Sequence, residues 1–105
     1  MEYILFGVTY KVYTYVGKYA SNDNIAVELI SEDGEPFATL TVNIYSLEDG
    51  LACIDVNNCS GAIDLIKKYK LGKFTGDYAH SGYCSYPIYK LNIDNLNKYK
   101  YEGVL

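Results

Sequence analysis

Apolar and polar residues alternate with a period of two through the N-terminal half of the chain, which is typical of half-buried β-strands. One face of the predicted strand over residues 8–16 carries Val8, Tyr10, Val12, Thr14 and Val16. The same alternation predicts strands over 25–30 and 37–43, and further runs predict strands over 51–56 and 83–91. The pattern therefore indicates about five strands.

A hairpin is predicted between the second and third of these strands. Asp33-Gly34 is a strong hairpin signal because both central residues of a type I′ turn need positive φ. A two-residue loop would place Ile25, Val27 and Leu29 opposite Val42, Leu40 and Ala38, all on one face. It would also set Glu32 against Glu35, and like charges across a strand pair cost a few tenths to about 1 kcal/mol. Either the loop is longer, or a basic partner meets the acidic turn.

One helix is predicted over residues 60–70. Its apolar stripe is formed by Ile63, Ile66 and Tyr69. Ser60 or Asn58 can cap its first turn, and lysines in its last turn favour the C-terminal end of the helix dipole. Gly72 is the residue expected to end it in the left-handed conformation.

The C-terminal third begins with a predicted polar loop that contains Gly76 and Gly82. Pro87 predicts that the strand that follows lies at a sheet edge or starts late, because proline has no N–H to donate. From about residue 92 the chain is polar and rich in lysine, with a short helix expected around 94–99.

Together these elements predict an α+β fold, in which a twisted, mainly antiparallel sheet of about five strands packs against one main helix at about 60–70. A chain of 105 residues, of which 50% are hydrophobic, is near the usual size of one domain. We therefore expect a single domain over residues 1–105, with a lysine-rich polar C-terminal tail from about 92.

Charge is divided unevenly along the chain. Residues 19–66 contain nine carboxylates and no basic residue, whereas residues 67–105 contain seven lysines and three carboxylates, so the net charge of −4 conceals two segments of opposite sign. Surfaces of a single sign steer charged partners. The predicted partner-binding residues are Glu28, Glu32, Asp33, Glu35, Glu48 and Asp49. The expected partner is a protein with a basic surface, and the alternative is that these residues only solvate turns.

The cellular setting is predicted from what the sequence lacks. Glu2 stands where a signal peptide carries positive charge, and no run approaches the roughly 18 apolar residues needed to span a membrane. Three cysteines leave at least one unpaired, which fits a reducing compartment. We expect a bacterial cytoplasmic protein that does not bind a membrane.

Two kinds of site are conceivable around the cysteines and the one histidine. Cys53, Cys59, His80 and Cys84 have the number and type of ligands for tetrahedral zinc, although their spacing matches no standard zinc motif. Alternatively, Cys59 near a helix N-terminus could be a nucleophile with His80 as its base. Nothing in the sequence brings the two together, so we predict no catalytic residues, no metal and no cofactor.

Thirteen tyrosines could stack on bases, as the aromatic residues of single-strand binders do. Such binders also need a cationic groove, whereas this chain has no arginine and a pI near 4.8. Direct binding of nucleic acid is therefore the weaker hypothesis. Codons made only of A and T encode tyrosine, so a biased genome also explains the tyrosine content.

Three segments carry a family resemblance. Residues 33–43 (DGEPFATLTVN), 55–59 (DVNNC) and 81–89 (SGYCSYPIY) resemble, in this order and spacing, a family of small uncharacterised proteins found mainly on plasmids and conjugative elements of Firmicutes. The similarity covers roughly residues 10–91. The family is a domain of unknown function, so the resemblance implies a genomic context and no catalytic residues.

That context favours one class of function. Small acidic proteins of mobile elements include inhibitors of host defence, and a chain of this size and charge is similar in kind to anti-CRISPR proteins. We therefore predict a non-enzymatic protein that binds a CRISPR effector nuclease through its acidic surface. The alternatives are a cysteine- and histidine-dependent enzyme or metal site, and a tyrosine-rich binder of single-stranded nucleic acid.

Overall fold

The computed structural model describes residues 1–103, which form two four-stranded antiparallel sheets and two short helices. The strands are β1 (Glu2–Leu5), β2 (Val8–Lys18), β3 (Ile25–Ser31), β4 (Pro36–Thr39), β5 (Thr41–Val42), β6 (Leu51–Ile54), β7 (Gly72–Ser81) and β8 (Cys84–Leu91), and the helices are α1 (Ala62–Tyr69) and α2 (Ile93–Lys98). The strand order is β1-β2-β3-β4 in the first sheet and β5-β6-β8-β7 in the second. An α+β fold with antiparallel pairing agrees with the sequence.

The predictions of about five strands and one main helix are wrong. Strands β1 and β7 were not predicted, because β1 is short and β7 is exposed at nearly every position, so neither shows a period-two pattern. In β7 the residues expected to form a polar loop pair instead with β8, and the turn is reduced to Gly82 and Tyr83 between Ser81 and Cys84. A polar edge strand lacks the buried face on which the prediction depends.

The strand predicted over 37–43 divides at Leu40. β4 pairs with β3 in the first sheet, whereas β5 pairs with β6 in the second. The Leu40 N–H donates to the Val27 carbonyl at 2.9 Å, and the Leu40 carbonyl accepts from the Asp55 N–H at 2.9 Å. This fully buried residue therefore joins the two sheets through its main chain.

The hairpin between β3 and β4 has the predicted pairing of Leu29 with Ala38 but a different turn. The Ser31 N–H donates to the Glu35 carbonyl at 2.9 Å, so the loop has three residues. The Gly34 N–H donates to Ser31 O at 3.0 Å, and Gly34 has φ 82°. These bonds are typical of a three-residue hairpin with a glycine in the left-handed region. The two-residue loop is wrong, and the longer loop removes the expected Glu32–Glu35 pairing.

Helix α1 is shorter than predicted and has different caps. Gly61 is its N-cap and provides no side-chain bond, while Asn58 bonds to Asp55 instead. Lys70, with φ 54°, occupies the left-handed C-cap position predicted for Gly72. Gly72 opens β7, where a Cβ would lie 2.9 Å from the Lys90 carbonyl oxygen. Its missing side chain permits the close approach of β8, which a helix-stop pattern does not reveal.

Strand β8 lies inside the second sheet, so the edge position predicted from Pro87 is wrong. The pairing of β6 with β8 ends at Ile88, and Pro87 lies opposite Tyr78, next to an irregularity in β7. Pro87 therefore stands beyond the last paired residue of β6, where a missing N–H breaks no ladder bond on that side.

The segment after residue 92 packs against the first sheet. The helix expected around 94–99 is confirmed by α2, whose Leu96 is fully buried. The buried Thr14 hydroxyl donates to Leu96 O at 2.6 Å, and its main chain bonds to Tyr99 O and to the Tyr101 N–H. These contacts hold the lysine-rich segment along β2.

Two apolar clusters lie on opposite faces of the second sheet. The main core joins both sheets to the helices and includes Val12, Leu29, Ile54, Ile66 and Leu96. The smaller cluster is formed by Cys53, Ala79, Tyr86 and Ile88, beneath the segment that connects β5 to β6. Side chains alternate across a strand, so Cys53 faces the small cluster while its neighbours Ala52 and Ile54 face the main core.

Candidate functional site

Three of the predicted partner-binding residues lie together at the turn between β3 and β4. We name Glu32, Asp33 and Glu35 the acidic tip; all three are exposed. Besides the turn bonds, the Glu35 N–H donates to Ser31 Oγ at 3.2 Å. The only ion pair among residues 1–103 joins Lys11 Nζ to Glu32 Oε1 at 3.9 Å, with both side chains about 60% exposed. A pair so exposed neutralises the tip weakly.

The base of the acidic tip is supported from the C-terminal segment. A Cβ on Gly34 would lie 2.7 Å from the hydroxyl of Tyr101, so this ring stands directly against the turn. Tyr101 also packs edge-on against Tyr13 at 5.9 Å between ring centroids, and its N–H bonds to Thr14 O at 2.9 Å. The sequence does not reveal this support, because nothing in a polar tail indicates which strand it meets.

The other predicted acidic residues lie elsewhere. Glu28 is exposed near the middle of β3, between Tyr15 on β2 and Thr39 on β4. Glu48 and Asp49 are exposed in the segment that precedes β6, beside the turn that leads into Ile25. Because a strand rises about 3.3 Å per residue, β3 alone separates this pair from the acidic tip by roughly 20 Å. Four of the six carboxylates therefore lie on β3 or at the turn after it, two lie in the segment before β6, and the six do not form one cluster.

A polar network fixes the segment that carries Glu48 and Asp49. The buried Asn24 donates to Asn43 Oδ1 at 3.0 Å and to Tyr45 O at 2.7 Å, and its own Oδ1 accepts from the Leu47 N–H at 3.0 Å. One asparagine thus satisfies three polar groups of a segment without regular structure. The sequence indicated only a turn at this asparagine, since its partners lie some twenty residues further along the chain.

The cysteines and the histidine do not form a common site. Cys59 is buried in the main core, where its Sγ lies 3.5 Å from the Tyr3 hydroxyl, while Cys53 belongs to the smaller cluster. Cys84 is exposed, and the exposed His80 bonds through Nδ1 to Ser85 Oγ at 2.8 Å. Within residues 1–103, no group of three or more His, Cys, Asp or Glu residues could hold a metal ion.

The environment of Cys59 is unlike that of a catalytic thiol. Burial raises the pKa of Cys59, the nearby Asp55 raises it further, and only the Tyr3 hydroxyl acts in the opposite direction. Burial also raises the pKa of Tyr3 itself. A nucleophilic cysteine needs a lowered pKa and access to substrate. The geometry therefore favours a structural role for this residue.

Many tyrosines have structural contacts. Tyr3, Tyr86 and Tyr89 are buried, and Tyr69 stacks edge-on with Tyr99 at 5.1 Å between ring centroids. The exposed tyrosines are Tyr10, Tyr15, Tyr45, Tyr78 and Tyr83. They belong to both sheets and to the connecting segment, and so do not line one groove of the kind in which successive bases stack.

The fold and this surface define a small antiparallel α+β protein with an exposed acidic turn between β3 and β4. The chain belongs to the family described as "Domain of unknown function (DUF4313)", which matches residues 14–105. The predicted membership of an uncharacterised family is thereby confirmed, and the match extends through the C-terminal segment. Neither a curated protein nor a solved structure matches the chain. Among the described residues, neither helix is long and apolar enough to cross a membrane.

Proposed function

We propose that this protein acts without catalysis, by inserting its acidic tip into a basic surface of another protein. The observation that carries the proposal is the turn itself: Glu32, Asp33 and Glu35 are exposed together, and the single ion pair beside them is long and solvated. Carboxylates fixed on a turn complement a positively charged channel and increase the rate of encounter with it.

The construction of the turn favours binding over mere solvation. The turn is closed by main-chain bonds and by Ser31 Oγ, and the ring of Tyr101 lies against it. A preorganised hairpin loses little conformational entropy when it binds. If these residues only solvated the turn, charged side chains would be sufficient. Support of the turn by a second segment of the chain would not be needed.

The partner that we favour is a CRISPR effector nuclease, whose nucleic-acid channel is basic. The resemblance to proteins of Firmicutes plasmids and conjugative elements supports this choice, because such elements benefit from inhibiting host defence. On this proposal the protein acts in the bacterial cytoplasm, needs no cofactor and competes with nucleic acid for the effector.

The proposal can be tested by measuring binding to a purified type II effector nuclease at 50 and 200 mM salt. The variant with Glu32→Lys, Asp33→Lys and Glu35→Lys should bind at least about tenfold more weakly, with a flatter dependence on salt. Inhibition of target cleavage should be lost in parallel.

The matched control reverses charge in the segment before β6, beside the start of β3 and away from the acidic tip. Glu48→Lys with Asp49→Lys changes similar exposed carboxylates and should retain most of the affinity. Equal weakening by both variants would show a general charge effect and contradict a role for the tip. Unchanged affinity and salt dependence in the tip variant would equally exclude the acidic tip from the mechanism.

A further inference from the structure

A second charged surface, opposite in sign, lies where the end of α1 meets the second sheet. A cleft of about 610 Å³ is bounded by the end of α1, the first residues of β7, the end of β8 and the start of α2. We name it the lysine cleft after Lys67, Lys70, Lys73 and Lys90, which line it. Its volume lies within the range of small-molecule sites.

The charge in this cleft is concentrated and uncompensated. Four of the nine lysines of an acidic chain line it, against a single carboxylate, Asp94. None of the four has a carboxylate oxygen within 4.0 Å in residues 1–103. The Lys90 ammonium donates to the main-chain carbonyl of Asp49 at 3.0 Å, beside Gly50, and neither of these residues lines the cleft. Lys90 therefore borders the cleft through its stem, and the ammonium groups available to a ligand are those of Lys67, Lys70 and Lys73.

Two features of the cleft are unfavourable for folding alone. Lys73 and Lys90 lie directly opposite each other across β7 and β8, and like charges in such a pair are destabilising. Lys70 has φ 54°, a left-handed conformation that favours glycine or asparagine at the end of a helix. Left-handed backbone at a non-glycine residue is concentrated at functional sites. An anionic ligand would relieve the repulsion.

The remaining lining residues limit the kind of anion. Ile66, Leu91 and Ile93 supply apolar surface, and Asn92 supplies a polar group. No aromatic residue lines the cleft, so it offers no platform on which bases could stack. Compact ammonium groups are suited to phosphate oxygens, and the three of Lys67, Lys70 and Lys73 match more than one phosphate group.

We propose that the lysine cleft binds a small ligand that carries two or more phosphate groups, either an inorganic polyphosphate or a nucleoside polyphosphate. This inference is independent of the acidic tip, which contributes no residue to the cleft. The apolar residues would contact the organic part of a nucleotide, and the lysines would hold its phosphates.

The test is calorimetric titration of the whole chain with tripolyphosphate, ATP and orthophosphate at low salt. We expect tripolyphosphate to bind with a dissociation constant in the micromolar range, at least about tenfold more tightly than orthophosphate, and to weaken as salt is added. If ATP binds more tightly than tripolyphosphate, the ligand class is a nucleoside polyphosphate. If tripolyphosphate binds more tightly, the ligand class is inorganic polyphosphate.

Lys70→Gly is the decisive variant because its two expected effects have opposite signs. Glycine adopts a positive φ without strain, so the melting temperature should rise by a few degrees. Loss of the ammonium group should weaken the binding of tripolyphosphate at least about fivefold. Lys68→Gln is the matched control, since Lys68 lies on the same helix but lines a different cavity. The affinity of Lys68→Gln for tripolyphosphate should stay within about twofold of that of the parent protein.

Three results would overturn the proposal. One is the absence of tripolyphosphate binding at millimolar concentration. Another is an equal affinity of the Lys70→Gly and Lys68→Gln variants for tripolyphosphate. A third is binding of a single-stranded oligonucleotide that neither tripolyphosphate nor ATP displaces, since a nucleic-acid surface is then the correct description.

Discussion

Gly34 is the residue on which the shape of the acidic tip depends. It combines φ 82° with the ring of Tyr101 directly against the position of a Cβ. Gly76 has a similar φ of 92° but nothing within 4 Å of a Cβ. A substitution at Gly76 therefore measures the cost of backbone strain alone, whereas a substitution at Gly34 measures that cost together with the steric contact.

We predict that Gly76→Ala costs about 1 to 2 kcal/mol in the free energy of unfolding, from the left-handed conformation alone. Gly34→Ala should cost roughly 1 kcal/mol more, because the methyl group meets Tyr101. Urea unfolding of both variants measures the difference. In a Tyr101→Phe background the excess cost of Gly34→Ala should shrink, and equal costs in every background would refute the contact.

The buried thiol of Cys59 makes a prediction about alkaline pH. Its pKa is raised above the ordinary value of 9.0 by burial, so the folded chain holds this proton more tightly than the unfolded chain does. The contribution to stability is complete below pH 9.0 and is lost as the pH rises through the folded-state pKa. The tyrosine beside it, Tyr3, shifts in the same direction and adds to the loss.

Unfolding free energies measured between pH 7 and 10.5 should therefore fall above about pH 9. Cys59→Ala should flatten part of this fall, although it lowers stability at every pH through lost packing. Cys84→Ala, which removes an exposed thiol, is the control for the substitution itself and should change the free energy of unfolding at pH 7 by less than about 0.5 kcal/mol. The prediction fails if the Cys59 variant keeps the full alkaline slope.

At the scale of elements, the turn between β1 and β2 is strained by its own sequence. Phe6 and Gly7 both have positive φ, at 49° and 78°, as a type I′ turn requires, yet asparagine is the residue favoured at the first position. Phe6 is also 94% exposed, so its ring contributes almost no burial. The hairpin therefore keeps an unfavourable residue without a compensating contact in the described chain.

Phe6→Asn should consequently stabilise the protein by about 0.5 to 1 kcal/mol, seen as a higher melting temperature. Tyr83→Asn is the matched control, because Tyr83 is a fully exposed aromatic residue in a turn but does not have positive φ. Its effect should stay within about 0.5 kcal/mol. A loss of stability in Phe6→Asn would mean that the ring has a partner.

The elements also show what the sequence could and could not predict. Period-two alternation correctly located β2 and β3, because alternate residues are buried in part of each strand, Val12 and Thr14 in β2 and Val27 and Leu29 in β3. It could not show that the chain changes sheets at Leu40, since both strands continue the same alternation. The helix-stop pattern predicts that Gly72 ends α1, whereas Gly72 permits a close approach of β7 to the Lys90 carbonyl on β8.

The acidic site was predictable only in part for the same reason. Local signals placed Glu32, Asp33 and Glu35 in one turn, and the structure agrees. Their support by Tyr101 and their separation from Glu48 and Asp49 depend on long-range pairing, which one sequence does not encode in any local pattern. The charge division along the chain predicted surfaces of opposite sign, but not that four lysines from three segments would line one cleft.

At the scale of the whole molecule, the uneven charge along the chain becomes two separate surfaces. The acidic tip is built on β3 and β4 of the first sheet, and the lysine cleft on α1, β7, β8 and the start of α2. They share no residue, and no ion pair among residues 1–103 joins them. Sites without common partners behave additively, so each should respond only to its own substitutions.

The two surfaces can therefore be tested against each other in one set of variants. Reversal of the tip carboxylates should weaken effector binding at least about tenfold while the affinity for tripolyphosphate changes less than about threefold, because exposed charges beyond a Debye length are screened. Lys70→Gly should show the reverse pattern, with weak tripolyphosphate binding and unchanged effector binding. Calorimetry and effector binding in the same buffer at 150 mM salt provide both readouts. If tripolyphosphate strengthens or weakens effector binding, and Lys70→Gly removes that effect, the surfaces are coupled and their independence is refuted.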